Sequence, residues 1–144
     1  MSAGIGNTYA KNNLDQDCGS GSPATWYVAL LTTLPADGDG TSIAEASWTG
    51  YGRQSFTNNN TNFPASTVVS HIATKTCQAT INYGTVSGLS GSITVVGIAL
   101  YDASTGGNMG RVAVFGSPTS PVTYTLSNGS SLSIAAGNLT FQEV

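Results

Sequence analysis

The feature that most constrains the fold is the spacing of apolar residues, which come in short runs broken by glycine, proline, asparagine and serine. β-Branched and aromatic residues dominate these runs, as is typical of closely spaced strands. The clearest run, Thr25 to Leu34, is apolar on both faces and predicts a central strand covered on both sides. Since helical periodicity is nearly absent, we predict an all-β chain, a single antiparallel β-sandwich, jelly-roll-like, of about eight strands.

Further strands follow the same reasoning. Ser92 to Tyr101 and Gly110 to Phe115 predict a hairpin around a loop rich in turn formers. The stretch from Val68 to Tyr83 alternates, which places on one face His71, Ala73, Lys75, Cys77, Ala79, Ile81 and Tyr83. The chain ends in a predicted meander of three short strands. The predicted core comprises Trp26, Val28, Leu30, Val96, Ile98, Leu100, Val112, Val114, Leu132, Ile134, Leu139 and Phe141.

The polar segments set the predicted domain organisation. Residues 1–22 are poor in apolar side chains and predict an N-terminal arm or peripheral loop, followed by the sandwich domain at 23–144. A chain of 144 residues is long enough to bury one core without disulfides or metals. Three further polar loops are predicted at Asp37–Ser47, Asn58–Asn62 and Thr105–Asn108.

Charge is scarce in this chain. Only 8% of residues are Asp, Glu, Lys or Arg, whereas about 25% is usual. The four cations are scattered, so no basic stripe could neutralise several phosphates, and we expect no nucleic-acid partner. No apolar run approaches the roughly 20 residues that span a bilayer, and the N-terminus lacks a signal-peptide pattern, so we expect no membrane association.

The residues that could carry catalysis are few. The single histidine, His71, follows Ser70, but adjacent residues on a strand point to opposite faces and could not form a nucleophile–base pair. His71 is therefore predicted to be a surface or partly packed histidine. Cys18 and Cys77 match neither a metal-site nor a redox spacing and are expected to be reduced and packed. The sequence thus predicts a protein that is not an enzyme and has no cofactor.

One loop invites a metal interpretation. Asp37-Gly38-Asp39-Gly40 resembles the opening of a calcium loop, but the sixth position is Ser42 rather than glycine and the twelfth is Trp48 rather than glutamate. A plain turn is favoured over weak cation binding, and no metal site is predicted.

Aromatic residues leave a second alternative open. The side chains of Trp26, Trp48, Tyr51, Tyr83 and Tyr101 could stack on sugar rings if they were exposed. A role as core and interface bulk is favoured, because Trp26 and Tyr101 lie inside apolar strands. A carbohydrate-binding module would require some of Trp48, Tyr51 and Tyr83 to form an exposed platform.

Several short motifs, in their order along the chain, carry a family resemblance. They are Asn13-Leu14-Asp15, Tyr27-Val28-Ala29-Leu30, Gly50-Tyr51-Gly52-Arg53-Gln54, Leu100 to Asn108 and Leu132 to Leu139. Together they span nearly the whole chain and resemble a family of small tailed-phage virion proteins. Members look like capsid decoration (cement) proteins in some phages and are labelled tail or tail-fibre components in others.

The resemblance implies a structural role in the virion, with assembly in the host cytoplasm. It favours a capsid decoration protein that binds the major capsid protein and stabilises the head shell, as a homo-oligomer with a trimer ahead of a dimer. A tail or tail-fibre component, or a host-surface carbohydrate-binding module, are the alternatives. Residues in the arm and polar loops are candidates for partner contacts: Asn12, Asn13, Asp15, Asp37, Asp39, Asn59, Asn60 and Asn108.

Overall fold

A computed structural model describes residues 6–34, 43–117 and 120–143. The described residues form one helix, α1 (Asn7–Asp17), and fourteen strands: β1 (Thr25–Thr33), β2 (Ala44–Glu45), β3 (Gln54–Thr57), β4 (Thr67–Val69), β5 (Ile72–Cys77), β6 (Ile81–Thr85), β7 (Ser92–Val95), β8 (Gly97–Tyr101), β9 (Met109–Val114), β10 (Gly116–Ser117), β11 (Ser120–Pro121), β12 (Tyr124–Ser127), β13 (Ser131–Ile134) and β14 (Leu139–Glu143). The chain is mostly β with several antiparallel sheets, consistent with the predicted all-β sandwich class. Within these ranges, no helix is both long and apolar enough to cross a membrane.

The chain contains two compact units. Unit 1 comprises Met1–Trp26, Phe56–Thr80 and Ile134–Val144, and unit 2 comprises Tyr27–Ser55 and Ile81–Ser133.

The main sheet has the strand order β2-β1-β8-β9, with β3 also paired to β1. Strand β1 pairs with β8 in antiparallel register, with Val28 opposite Leu100 and Leu30 opposite Ile98. These four side chains are completely buried, which confirms the predicted central strand. Gly97 lets β9 approach closely, because a Cβ there would lie 2.5 Å from the carbonyl oxygen of Ala113.

The predicted core is confirmed at eight of its twelve positions: Trp26, Val28, Leu30, Ile98, Leu100, Ile134, Leu139 and Phe141. The other four, Val96, Val112, Val114 and Leu132, are only half-buried, and the prediction was wrong there. Strand β9, which carries Val112 and Val114, lies at the edge of its sheet, where fewer neighbours cover a side chain.

Helix α1 occupies the segment that the sequence predicted as a polar arm or peripheral loop. Ala10 and Leu14, one helical turn apart, and Cys18 just beyond the helix are completely buried. The helix packs on the three-stranded sheet β14-β5-β4. The helical pattern is easily missed because only two apolar side chains of the helix face this sheet, and Gly6 at its start provides no side-chain cap.

The run predicted as one alternating strand, Val68 to Tyr83, is divided in the structure by turns. Ser70 and His71 form a two-residue turn between β4 and β5, with φ values of 49° and 67°. The prediction that they point to opposite faces of a strand was wrong, because both lie in this turn. His71 is exposed, as expected, and its Nδ1 lies 3.1 Å from Asn7 Oδ1. The alternation is confirmed in β5, where Ala73, Lys75 and Cys77 are buried.

The Asn58 side chain binds backbone groups at the end of α1 and in the segment that follows it. The side chain, 1% exposed, donates through Nδ2 to the carbonyl oxygens of Asp17 (3.1 Å) and Pro23 (2.9 Å). Its Oδ1 accepts a hydrogen bond from the backbone N–H of Gly19, and its own N–H donates to Ala24 O. The buried side-chain amide of Asn58 therefore provides hydrogen-bond partners for backbone groups that are not paired in a sheet.

Candidate functional site

The most elaborate polar arrangement of unit 2 surrounds Arg53, and we call Glu45, Tyr51, Arg53 and Tyr101 the Arg53 cluster. Arg53 Nη2 lies 2.9 Å from Glu45 Oε2, while its Nε lies 3.1 Å from Oε1, so the ion pair is bidentate. The guanidinium carbon lies 3.7 Å from the centre of the Tyr101 ring, and the Arg53 side chain is 8% exposed. Bidentate pairing and stacking together require a planar guanidinium, which lysine does not offer.

The remaining donor of the guanidinium anchors a surface loop. Arg53 Nη1 donates to the carbonyl oxygens of Ala103 (2.9 Å) and Gly106 (2.8 Å), both in the loop between β8 and β9. At the base of this loop, Asp102 accepts hydrogen bonds from the Asn108 N–H (2.7 Å) and its Nδ2 (2.9 Å), and these bonds lower the pKa of Asp102. The exposed 102–108 loop is therefore held in one conformation from both ends.

Tyr51 links the cluster to the central strand. Its hydroxyl accepts a hydrogen bond from the N–H of Leu30 in β1 (3.0 Å) and donates one to Glu45 Oε1 (2.9 Å). Burial, together with the neighbouring carboxylate, raises the pKa of Tyr51 and keeps the phenol protonated. The tyrosine thus links β1 to Glu45.

A shallow hollow of about 370 Å³ opens beside the Arg53 cluster. It is lined by Glu45, Ala46, Ser47, Tyr51, Gly52, Arg53, Ser104, Thr105 and Gly106. The opposite charges of Glu45 and Arg53 compensate each other, and the lining combines apolar surface with the hydroxyl groups of Ser47, Ser104 and Thr105.

Unit 1 is organised around a second ion pair. Lys75, 1% exposed, places its Nζ 2.7 Å from Asp15 Oδ1, and the same oxygen accepts hydrogen bonds from the N–H (2.9 Å) and Oγ (2.7 Å) of Ser66. Lys11, one turn before Asp15 on α1, binds the other carboxylate oxygen. Burial alone would raise the pKa of Asp15, but these hydrogen bonds outweigh it and hold the pKa well below its usual range.

The candidate contact residues are spread over the chain rather than gathered in one site. Asn12 and Asn60 are exposed, Asn59 accepts two backbone N–H groups in its own turn, and Asn13 donates to Glu143 Oε1 (2.9 Å). Asp15 is committed to Lys75 and Asn108 to Asp102, as described above. Asp37 and Asp39, with the proposed turn or weak cation site, lie outside the described residues.

Sequence reasoning missed the two residues around which the polar contacts are built, Arg53 and Lys75. A signal existed for each. Arg53 stands in the Gly50-Tyr51-Gly52-Arg53-Gln54 motif, and Lys75 falls on the otherwise apolar face of an alternating strand. A cation on a buried face requires an anion nearby, although the sequence does not say which one.

The aromatic residues do not form the platform that a carbohydrate-binding module would need. Trp48 is 8% exposed and Tyr83 is 5% exposed, and the Tyr83 hydroxyl donates to Val28 O. The half-buried Tyr51 ring packs against both, with centroid distances of 4.7 Å to Trp48 and 6.2 Å to Tyr83. These three rings serve as core bulk, the interpretation that the sequence favoured.

Cys18 and Cys77 are both buried, as predicted, and no disulfide joins them. Burial raises the pKa of Cys77, which disfavours the reactive thiolate.

Acidification should weaken the fold through Asp15. The pKa of this carboxyl is lowered in the folded state, whereas in the unfolded chain it is about 3.9. Below that value the unfolded state binds a proton that the native state does not, so the free energy of unfolding falls as pH decreases. Carboxyl-detected NMR titration of the intact protein should find Asp15 still ionised at pH 3, and an apparent pKa near 4 would contradict this assignment.

Replacing Arg53→Lys should loosen the 102–108 loop. A lysine cannot keep the bidentate pair with Glu45 and both carbonyl contacts, so we expect a loss of about 2 kcal/mol in urea unfolding. Amide exchange in the loop should also become faster. Ser104→Ala in the same loop is the control and should change stability by less than about 0.5 kcal/mol. Equal behaviour of the two variants would show that Arg53 does not hold the loop.

Comparison with known proteins identifies a family for the chain. No curated protein matches the chain significantly. A family model described as podophage GP4 fiber I protein gp80 matches residues 5–142, nearly the whole sequence. The match agrees with the resemblance to small tailed-phage virion proteins, including the tail-fibre label that some members carry. The chain belongs to the podophage GP4 fiber I protein gp80 family.

Proposed function

We propose that this phage virion structural protein is a non-enzymatic component of a podophage fibre. The observation that carries the proposal is the match over residues 5–142 to a family that is described as a fibre protein. Within the particle the protein would contribute contacts rather than chemistry.

The use of the polar side chains supports a non-enzymatic role. Asp15 and Lys75 hold α1 on its sheet, while Glu45 and Arg53 hold the 102–108 loop. Tyr51 and Cys77, two groups that could act as an acid or a nucleophile, have pKa values shifted towards their neutral forms. Structural contacts thus occupy groups that an active site would need.

Capsid decoration is the second candidate, and it is the one that the sequence resemblance put first. In that role the partner would be the major capsid protein and the protein would stabilise the head shell. A self-associating protein is compatible with either location. The exposed 102–108 loop and the hollow beside it are available for such contacts in both cases.

Dissection of virions tests the proposal. Purified particles should be separated into head and tail-fibre fractions, and the chain quantified in each by mass spectrometry. We expect enrichment in the fibre fraction. Enrichment in heads would replace the fibre assignment with capsid decoration, and absence from intact virions would overturn a structural role altogether.

A further inference from the structure

The turn between β12 and β13 contains the step Asn128-Gly129, the one Asn-Gly step in the sequence. In such a step the backbone nitrogen that follows asparagine can attack the side-chain amide, because glycine has no Cβ to shield that nitrogen. Asn128 is exposed and belongs to unit 2. Sequence and exposure together make Asn128 a candidate for spontaneous deamidation.

The side-chain amide of Asn128 pairs with the backbone of Leu89, which lies in the 86–91 segment between β6 and β7. The Asn128 Oδ1 accepts a hydrogen bond from the Leu89 N–H (3.0 Å), and Nδ2 donates to the Leu89 carbonyl oxygen (2.8 Å). Both polar atoms of the amide therefore have partners, as the two backbone groups of a paired strand residue do. The nitrogen that deamidation would release is one of these two atoms.

The attacking nitrogen is also hydrogen-bonded in the folded chain. The Gly129 N–H donates to the carbonyl oxygen of Val86 (2.9 Å), and the Val86 N–H donates to that of Ser130 (2.8 Å). Ring closure requires the Gly129 nitrogen to lose its proton, which is bound at Val86. Cyclisation therefore requires the turn to separate from the 86–91 segment at Asn128 and at Gly129.

We propose that Asn128 is a deamidation site whose reaction is limited by the opening of the β12–β13 turn from the 86–91 segment. In the open turn the Gly129 nitrogen gives its proton to a solvent base and bonds to Asn128 Cγ, while Nδ2 takes up a proton and leaves as ammonia. Water then opens the cyclic imide to aspartate or isoaspartate. The overall reaction consumes one water, releases ammonia and needs no other reactant. Its rate depends on the population of the open turn, which the free energy of local opening sets.

The product would not restore the contact with Leu89. Aspartate has no Nδ2 donor, and its carboxylate would place a negative oxygen against the Leu89 carbonyl oxygen. Isoaspartate also lengthens the backbone of the turn by a methylene group. Ser87 is held separately, because its carbonyl oxygen accepts a hydrogen bond from the Thr49 N–H (3.0 Å). Deamidation thus releases Leu89 and adds one negative charge to a net charge of −3.

Two glycine substitutions in the 86–91 segment test the proposal. A Cβ at Gly88, where φ is +73°, would lie 2.1 Å from Thr49 Oγ1, whereas a Cβ at Gly91 meets nothing within 4 Å. Gly88→Ala should displace Leu89 from Asn128, and Gly91→Ala is the matched control. The full chain should be incubated at pH 8 and 37 °C and mapped by mass spectrometry. We expect Asn128 to deamidate at least about tenfold faster in Gly88→Ala than in the wild type or Gly91→Ala.

Wild type unfolded in guanidinium chloride gives the rate without the contact, and Asn128 should react there at least about tenfold faster than in the folded protein. Circular dichroism establishes that Gly88→Ala is folded. If it is not, Leu89→Pro replaces it, since proline lacks the N–H that binds Asn128 Oδ1. Equal rates in the displaced variant and Gly91→Ala, equal rates in folded and unfolded wild type, or no reaction of Asn128 in the unfolded chain would overturn the proposal.

Asn128→Asp isolates the consequence of the modification. Amide exchange at Leu89 should be at least about tenfold faster in this variant than in the wild type, because the Nδ2 donor is lost. Asn82→Asp makes the same change of charge at an exposed residue of β6 and should leave exchange at Leu89 unchanged. Similar exchange at Leu89 in the two variants would contradict the assignment of this contact. None of these results depends on whether the protein resides in the fibre or the head.

Discussion

The contact between Asp15 and Lys75 is the interaction on which unit 1 depends. A lysine that is 1% exposed needs a nearby anion, and the anion comes from a helix 60 residues earlier in the sequence. Ser66 completes the arrangement by donating two hydrogen bonds to the same carboxylate oxygen. The docking of α1 on β5 is therefore fixed by a polar contact of definite geometry, since the helix contributes only Ala10 and Leu14 to the buried apolar area.

An ion pair with one buried partner specifies an arrangement more than it stabilises the fold. The Lys75 side chain is 1% exposed and the Asp15 side chain 29% exposed, so the main cost is the removal of the ammonium from water, and the attraction offsets this cost only when the remaining hydrogen bonds are satisfied. The Arg53 cluster in unit 2 uses the same principle, because one guanidinium satisfies a carboxylate and two loop carbonyls at once. In a chain with so few charges, the charged groups described here hold segments that are distant in sequence. For a virion component this gives defined loops on a weakly charged exterior.

The sequence predicted those elements whose pattern is local. The apolar run of β1, the hairpin of β8 and β9 and the alternation of β5 are all visible as short-range periodicity, and the structure confirms them. Helix α1 was missed because its stability comes from Asp15 and Leu14 contacting a sheet made of residues far along the chain. A short isolated helix of this composition would have little stability of its own.

Local sequence patterns were also insufficient to predict the burial of edge residues and the contacts of the candidate residues. Val112 and Val114 look like core residues in the sequence, but strand order places them at an edge, and strand order is not a local property. Asp15 and Asn108 were predicted to contact a partner because they lie in the arm and loops that the strands leave free. The structure adds contacts within the chain, with Lys75 and Asp102, that the sequence did not indicate.

A double-mutant cycle on Asp15 and Lys75 tests the central claim most directly. The free energy of unfolding should be measured by urea titration for Asp15→Asn, Lys75→Met and the double variant. We expect Asp15→Asn to cost about 3 kcal/mol in the wild-type background, since it leaves a buried ammonium without its anion, and much less once Lys75 is methionine. The resulting coupling energy should be on the order of 2 kcal/mol. An equal cost of Asp15→Asn in both backgrounds would contradict the account.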